Sequence, residues 1–248
     1  MALPQRAVGA PAPVELRNVA RPVSLAGERI LPVLPALAGL LPDGGLRRGS
    51  TVAVSGDAPR ASRSEAEARP GASSLALALL AGPSAAGSWC AAVGLPSLGL
   101  VAAAELGVAL DRLPLVARPG ADWHAVVAAL LEAVDVVLLC PPPHVRTGDA
   151  RRLAARARER GAVLVVTGGA VPADVRLSVV GAEWEGLGRG HGRLRARRIE
   201  VMVSGRGAAA RERRASLWLP AAGGGIAPAR CLRDPSSMRH QIAQTQLG

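Results

Sequence analysis

Short apolar runs alternate with amphipathic segments through the middle of the chain. Runs of five or six apolar residues are typical of buried strands, and the three- and four-residue apolar spacing between them is typical of helices. The predicted strands cover residues 51–55, 89–94, 113–117, 135–140 and 162–167, and the predicted helices cover 73–81, 98–107, 122–133 and 149–160. This alternation predicts an α/β fold whose mainly parallel sheet is flanked by helices.

The pattern changes after Gly168. Three later segments alternate apolar with polar residues and are separated by turn glycines, which predicts antiparallel strands appended to the sheet. They cover residues 175–184, 194–203 and 215–219. Before the first core strand, the leucines of 31–41 predict a short helical turn followed by a Pro-Asp-Gly-Gly turn.

The ends of the chain lack these periodicities. Residues 1–20 are rich in proline and alanine and are predicted to form a flexible N-terminal arm, and 221–248 contain three consecutive glycines and are predicted to form a flexible C-terminal tail. The core domain then covers 21–220, with a loop insertion at 57–70. Deletion of 221–248 is expected to leave the core folded.

Composition narrows the possible chemistry. All 30 basic residues are arginine, and the chain has no Lys, Phe or Tyr. A Schiff-base lysine is therefore excluded, as is a phosphate-binding loop completed by its own lysine. Only four Trp remain as aromatic platforms for single-stranded nucleic acid. The 49% hydrophobic content supplies a core.

The charge is concentrated near the C-terminus. The net charge is +11, and residues 186–248 hold 12 Arg against three acids. This excess allows an acidic partner, including DNA. Three widely spaced cysteines show no metal spacing, and the uncharged stretch between Arg69 and Glu105 is broken by Pro and Gly, so we expect no membrane span and a cytoplasmic location.

The first candidate site follows the strand at 51–55, because ligands of parallel α/β sheets bind at the carboxyl ends of strands. Gly56 leaves this strand, and the next helix opens as Gly71-Ala72-Ser73-Ser74. Ala72 occupies the place of the lysine of a phosphate-binding loop, although Ser73 still offers a hydroxyl. The intervening segment has 14 residues where the standard loop has four. These residues predict a degenerate nucleotide-binding loop.

A second loss concerns the magnesium ligand. Enzymes of this type hold magnesium with an acid near the end of a buried strand, but the strand at 135–140 ends in Cys140 and carries Asp135 at its opposite end. We therefore predict no catalytic residue, no metal site and no cofactor. ATP binding with Arg60, Arg63 or Arg69 in place of the lysine is kept as an alternative.

Two basic segments are candidate anion contacts. The glycine-rich stretch at 189–198 is the stronger one, with its nucleic-acid or partner contacts assigned to Arg189, Arg193, Arg195, Arg197 and Arg198. The arginines of the helix at 149–160 are interpreted as a solvated face. Cys140 with His144 lacks an orienting acid, and Trp89 and Trp184 are interpreted as core residues.

The ordered series of motifs resembles the core of RecA-like recombinases over residues 30–220. The matching parts are the turn and strand PDGGLRRGSTVAVSG, the helix GASSLALALL, the segment AAELGVALDRL, the strand DVVLLC, and RRLAARARERGAVLVVTGG before a terminal hairpin region. The combination is more narrowly similar to actinobacterial ImuA-like proteins, the RecA-like accessory subunits of the damage-induced translesion mutasome. This chain departs from RecA at Ala72 and Cys140.

The resemblance implies a non-catalytic adaptor in mutagenic DNA repair, associated with the nucleoid. Its implied partners are a Y-family polymerase homologue and an error-prone C-family replicative polymerase. The tail is the implied docking segment, with contacts assigned to Arg239, His240, Gln241, Ile242 and Leu247. Two alternatives stay open: an atypical ATPase activated by a partner or DNA, and a basic DNA-binding module. The latter, with about five phosphate contacts, predicts a log–log salt slope of about −4 to −5.

Overall fold

The computed structural model describes residues 29–56, 71–168, 171–187 and 192–229. The predicted arm at 1–20, residues 21–28 of the predicted core, the predicted insertion at 57–70 and residues 230–248 of the predicted tail lie outside these ranges. The strands are β1 Ile30–Leu31, β2 Leu46–Arg47, β3 Thr51–Gly56, β4 Cys90–Val93, β5 Leu115–Val116, β6 Val136–Leu139, β7 Val163–Thr167, β8 Val175–Leu187, β9 Gly192–Gly205, β10 Arg213–Trp218 and β11 Ala227–Pro228. The helices are α1 Pro35–Ala38, α2 Ala72–Ala85, α3 Leu100–Glu105, α4 Trp123–Ala133 and α5 Thr147–Arg160.

Nine strands form one mixed sheet in the order β11-β10-β9-β8-β3-β7-β6-β4-β5. Strand β3 lies near its centre and pairs in parallel with β7 and β8. Pairs β7/β6, β6/β4 and β4/β5 are also parallel, whereas β9, β10 and β11 pair antiparallel. The prediction of an α/β fold with a mainly parallel sheet and an antiparallel C-terminal extension is confirmed.

Helices cover both faces of the parallel part of the sheet. On one face, α1, α2 and α3 pack on alternate residues of β3, β6 and β7. On the other face, α4 and α5 pack on the residues between them. Because both faces are buried, the central strands are mostly apolar, and β6 is apolar and buried throughout.

Helix α2 runs through the core and is longer than predicted. Its residues from Leu75 to Ser84 are all buried, so the helix is apolar all round. The prediction ended this helix at residue 81. The structure continues to Ala85, with Pro83 in the last turn and Gly82 directly against the backbone of Val33. The contacts around the buried helix compensate for the missing proline N–H.

The predicted short helical turn within 31–41 is confirmed as α1, which lies between β1 and β2 along the chain. Two boundary predictions are corrected. Strand β8 was grouped with the antiparallel strands, yet it pairs in parallel with β3, and the antiparallel part begins at β9. The sheet also extends beyond residue 220, because β11 pairs with β10 and Ala229 N–H donates to the Ser216 carbonyl at 2.9 Å.

Among the residues that the structure describes, none of the helices has both the length and the apolar character needed to cross a bilayer. The longest helices, α2 and α5, each have 14 residues. A membrane span needs about 20 apolar residues. The uncharged stretch noted in the sequence is explained by α2 and β4, which are buried inside the domain.

Candidate functional site

The predicted loop residues Gly56 and Gly71 lie beside α2, at the carboxyl ends of the parallel strands. Strand β3 ends at the buried Gly56, and Gly71 forms the N-cap of α2 with a φ of +96°. A side chain is strained at this φ, and a Cβ at Gly71 would also lie 3.1 Å from Ile199 Cγ2 on β9. Glycine is therefore required where α2 begins against the antiparallel extension.

The first turn of α2 holds three of the residues assigned to the degenerate loop, and their exposure differs. Ala72 is buried, with 6% of its surface exposed, whereas Ser73 is exposed. Ser74 is half-buried and its hydroxyl is already hydrogen-bonded within the protein. Among the described residues of this turn, Ser73 carries an exposed hydroxyl of the kind that a phosphate-binding loop uses.

Arg197 of β9 donates the hydrogen bond to the Ser74 hydroxyl. Its Nη2 donates to Ser74 Oγ at 2.7 Å, and its Nε donates to the Leu219 carbonyl at 2.8 Å. The guanidinium carbon lies 5.0 Å from the centre of the Trp184 ring, within the range of a cation–π contact. Arg197 thus ties the start of α2 to β8 and to the end of β10.

The environment of Arg197 is unusual for a cation. Only 8% of the residue is exposed, and burial lowers the pKa of its guanidinium. No carboxylate in the described ranges forms an ion pair with it. Its position beside the first turn of α2 also sets a positive charge near the positive end of the helix dipole. The two hydrogen bonds and the Trp184 ring compensate for part of this cost.

Arg197 corrects one part of the sequence interpretation. The sequence grouped it with Arg193, Arg195 and Arg198 as surface anion contacts, but it is buried and bonded internally. The period of two in β9 could have shown this, because it places Arg197 on the same face of the strand as the core residue Ile199. Trp184, predicted to fill the core, is instead 43% exposed and covers Arg197.

The other basic residues of β9 do not form one patch. Arg193 and Arg195 are exposed on the face of Arg197, whereas Arg198 projects from the opposite face with its Nη2 3.5 Å from Ser216 Oγ. Arg189 lies outside the described residues. Two exposed arginines on one face supply fewer phosphate contacts than the five that the salt-slope prediction assumed.

The structure places Cys140 and Asp135 at opposite ends of β6. Strand β6 ends at Leu139, and Cys140 follows it at the carboxyl edge. Asp135 stands at the opposite edge, where its Oδ1 accepts a hydrogen bond from Arg48 Nη1 at 2.7 Å. At the carboxyl edge, the Thr167 hydroxyl contacts the Leu139 carbonyl at 3.4 Å, and the Ser55 and Ser178 hydroxyls are 3.1 Å apart. These groups are neutral.

Other candidate groups have structural roles. Arg156 of α5 forms an ion pair with Glu132 of α4, and Arg160 lies 3.7 Å from the same carboxylate, so the basic face of α5 is partly paired. His124 makes an edge contact with the Trp123 ring. In the described ranges, no three His, Cys, Asp or Glu side chains are grouped to hold a metal ion. The assigned tail residues, from Arg239 to Leu247, lie outside the described residues.

Comparison with known proteins places this domain in a family. A family model described as "MT3502 N-terminal domain" matches residues 39–173, more than half of the chain, from the end of α1 to just before β8. The chain is also 43% identical over 100 residues to "Uncharacterized protein Rv3395c" of Mycobacterium tuberculosis (strain ATCC 25618 / H37Rv). That alignment covers 40% of this chain and 49% of the relative, so the chain spans about half the length of the curated relative it matches. The chain belongs to the family described as the MT3502 N-terminal domain.

Proposed function

We propose that this protein is a non-catalytic, RecA-like adaptor in DNA-damage-induced mutagenesis. In this proposal it links a Y-family polymerase homologue to an error-prone C-family polymerase during translesion synthesis at the nucleoid. The observation that carries the proposal is a mainly parallel sheet in which Ala72 and Cys140 lie at the positions that the resemblance assigns to the lysine and the acid of a nucleotide site. Ala72 is buried and Cys140 is half-buried.

The topology supports the RecA-like part of the proposal. The elements that carry the resemblance lie in one sheet, with β3 near the centre, α2 directly beside it, and the antiparallel strands at one edge. The series therefore forms a single folded unit and not a chance sequence of motifs. A rigid scaffold of this kind can hold two partners in a fixed relation without chemistry of its own.

Arg197 supports the non-catalytic part. In a phosphate-binding loop, the ligand orders the first turn of the helix and compensates its dipole. Here Arg197 holds that turn through Ser74, so the turn is fixed by a contact within the chain. Assembly is then expected to be independent of nucleotide.

The first experiment is co-elution of the full chain with the Y-family polymerase homologue by size-exclusion chromatography, in buffer free of nucleotide and DNA. The proposal predicts a stable complex, unchanged by ATP and magnesium. Ser73→Ala should also leave the complex intact, because the hydroxyl would act only on a metal-bound nucleotide. Separate peaks that merge only when ATP is added would contradict the proposal.

The docking segment is tested separately. Because β11 belongs to the sheet, the deletion should remove residues 230–248 and not begin at 221 as the sequence suggested. The proposal predicts loss of the complex with an unchanged unfolding transition. In the full chain, joint replacement of Ile242 and Leu247 by serine should weaken the complex, whereas joint replacement of Gln244 and Thr245 by alanine should not. Equal effects of the two pairs would argue against apolar docking through the tail.

The second candidate function is an atypical ATPase, and Arg197 is the observation that favours it. A guanidinium beside the start of the phosphate-loop helix could bind a phosphate in place of a lysine after leaving Ser74. Hydrolysis is then expected only with partner and DNA present, and Arg197→Gln should abolish it. ATP turnover that Ser73→Ala removes would favour this function over the adaptor.

A further inference from the structure

A second concave site lies at the amino-terminal ends of β3 and β8, opposite to the end of the sheet at which α2 begins. A cavity of about 370 Å³ is formed where β3 and β8 begin and where β9 ends. Its walls come from the turn between α1 and β3, the last turn of α5, and the segment after β9. The six residues of β3 separate this edge from the start of α2 by roughly 20 Å. The two sites are therefore distinct.

The walls of this cavity are held closely together. Gly49, with a φ of +78°, lies against α5, because a Cβ there would be 3.2 Å from Arg158 Cα. The Thr51 N–H donates to Asp174 Oδ2 at 2.9 Å, and the Arg206 N–H donates to the Asp174 carbonyl at 2.9 Å. These contacts join three segments that are distant in sequence and preorganise the cavity.

Arginine dominates the charge of the lining. Four arginines and two aspartates line the cavity, and one of the arginines, Arg48, is paired with Asp135 outside it. The other three are Arg47, Arg158 and Arg206, each from a different wall, and all three are exposed. Their side chains form no hydrogen bond or ion pair with any side chain in the described part of the chain.

The convergence of these three cations needs a physical explanation. Arginines on an ordinary surface spread apart, because like charges repel and solvent separates them. Here folding brings three to one concave site, and one of the two lining carboxylates, that of Asp174, is already occupied by a backbone N–H. An anion in the cavity would relieve the repulsion and accept several charge-assisted hydrogen bonds.

We propose that this cavity binds a small phosphate-bearing molecule through Arg47, Arg158 and Arg206. Planar guanidinium groups match phosphate and carboxylate oxygens in pairs, and three positive charges favour a multiply charged phosphate over a single carboxylate. The volume lies within the usual range for small-molecule pockets and exceeds the space that a single phosphate needs. The ligand is therefore a phosphorylated small molecule, and the enclosing walls do not fit a nucleic-acid duplex.

The experiment is isothermal titration calorimetry of the full chain with inorganic phosphate and then with pyrophosphate, at constant ionic strength in chloride. We expect saturable binding at one site, tighter for pyrophosphate. Arg47→Gln and Arg206→Gln should each lower the pyrophosphate affinity about tenfold, the loss expected for one hydrogen bond between charged groups. Both positions are exposed, and circular dichroism will verify that the variants fold.

Two controls make the result specific. Arg118→Gln makes the same charge change at an exposed arginine after β5, near the far edge of the sheet, and should leave the affinity unchanged. Ser73→Ala alters the start of α2 and should also have no effect. Absence of saturable binding would overturn the proposal. An equal loss of pyrophosphate affinity in Arg118→Gln, or a loss in Ser73→Ala, would also overturn it. So would the result that Arg47→Gln and Arg206→Gln weaken binding of a short DNA duplex but leave pyrophosphate binding unchanged.

Discussion

Replacement of Cys90 by alanine should remove most of the alkaline destabilisation of this protein. Cys90 lies on β4 with none of its surface exposed, and its Sγ contacts the Leu80 carbonyl at 4.0 Å. Burial, and secondly the negative charge of Asp135, raise the pKa of the thiol from 9.0 to about 12, with Arg112 acting in the opposite direction. The thiolate is disfavoured because its charge would lie inside the core.

The sign and size of the effect follow from proton linkage. Because the folded-state pKa is raised, the unfolded chain loses its thiol proton first as pH rises. The contribution of Cys90 to stability is fully present below pH 9 and is lost as pH rises toward 12. The loss in the free energy of unfolding amounts to about 3 kcal/mol at pH 11 and approaches about 4 kcal/mol at its limit.

The composition of the chain allows the titration of the Cys90 thiol to be followed. The chain has no Lys or Tyr, so the groups that usually dominate titration between pH 9 and 12 are absent. The assay is urea unfolding followed by circular dichroism at pH 8 to 11, with reductant, for the natural chain and for Cys90→Ala. Cys140→Ala, at a half-buried thiol on the neighbouring strand end, is the matched control.

Cys90→Ala should cost about 1–2 kcal/mol at pH 8, because it leaves a small cavity in the core. The free energy of unfolding of Cys90→Ala should then decline less with pH than that of the natural chain. Near pH 11 the two proteins should therefore be equally stable, or Cys90→Ala should be the more stable one. Cys140→Ala should retain the decline. Parallel pH profiles for the natural chain and Cys90→Ala would refute the reasoning, since they would mean that the buried thiol does not control this transition.

Two further predictions concern packing around α2. In a double-mutant cycle, Arg197→Leu and Ser74→Ala should show a coupling free energy of about 1.5–3 kcal/mol in urea unfolding, and a value near zero would mean that the 2.7 Å hydrogen bond does not stabilise the fold. Gly82→Ala should destabilise the protein by about 1–3 kcal/mol because a Cβ would lie 2.5 Å from Val33 Cα. Gly39→Ala, where no heavy atom lies within 4 Å of the added carbon, should be nearly neutral, and equal effects at the two glycines would contradict the packing argument.

The central elements could be predicted because their signals are local. Strands β3, β6 and β7 are buried on both faces, so each carries consecutive apolar residues at its centre. Helix α5 has a clear amphipathic period and ends at Gly161, whose φ of +64° suits a C-terminal cap. The positions of Ala72 at the start of α2 and of Cys140 after β6 could also be predicted, because both follow directly from the predicted strands and helices.

Strand partners could not be read in the same way. The alternation at 175–184 indicates a strand, but the same alternation suits parallel and antiparallel neighbours, and only the sheet pairs β8 with β3 in parallel. Strand β11 has two residues in a glycine-rich segment, so it carries no periodic signal and forms through its contact with β10. Pairing over long sequence distances depends on the whole fold.

The sequence by itself determined the fold class and the buried strands, because these follow from apolar periodicity. It also predicted a degenerate nucleotide-binding loop from the residue types present. The tertiary structure alone decided the roles of the arginines. Thirty similar side chains are indistinguishable by composition. Folding buries Arg197 beside α2 and brings Arg47, Arg158 and Arg206 to one cavity. Their electrostatic roles depend on distances between segments far apart in sequence, which no local pattern encodes.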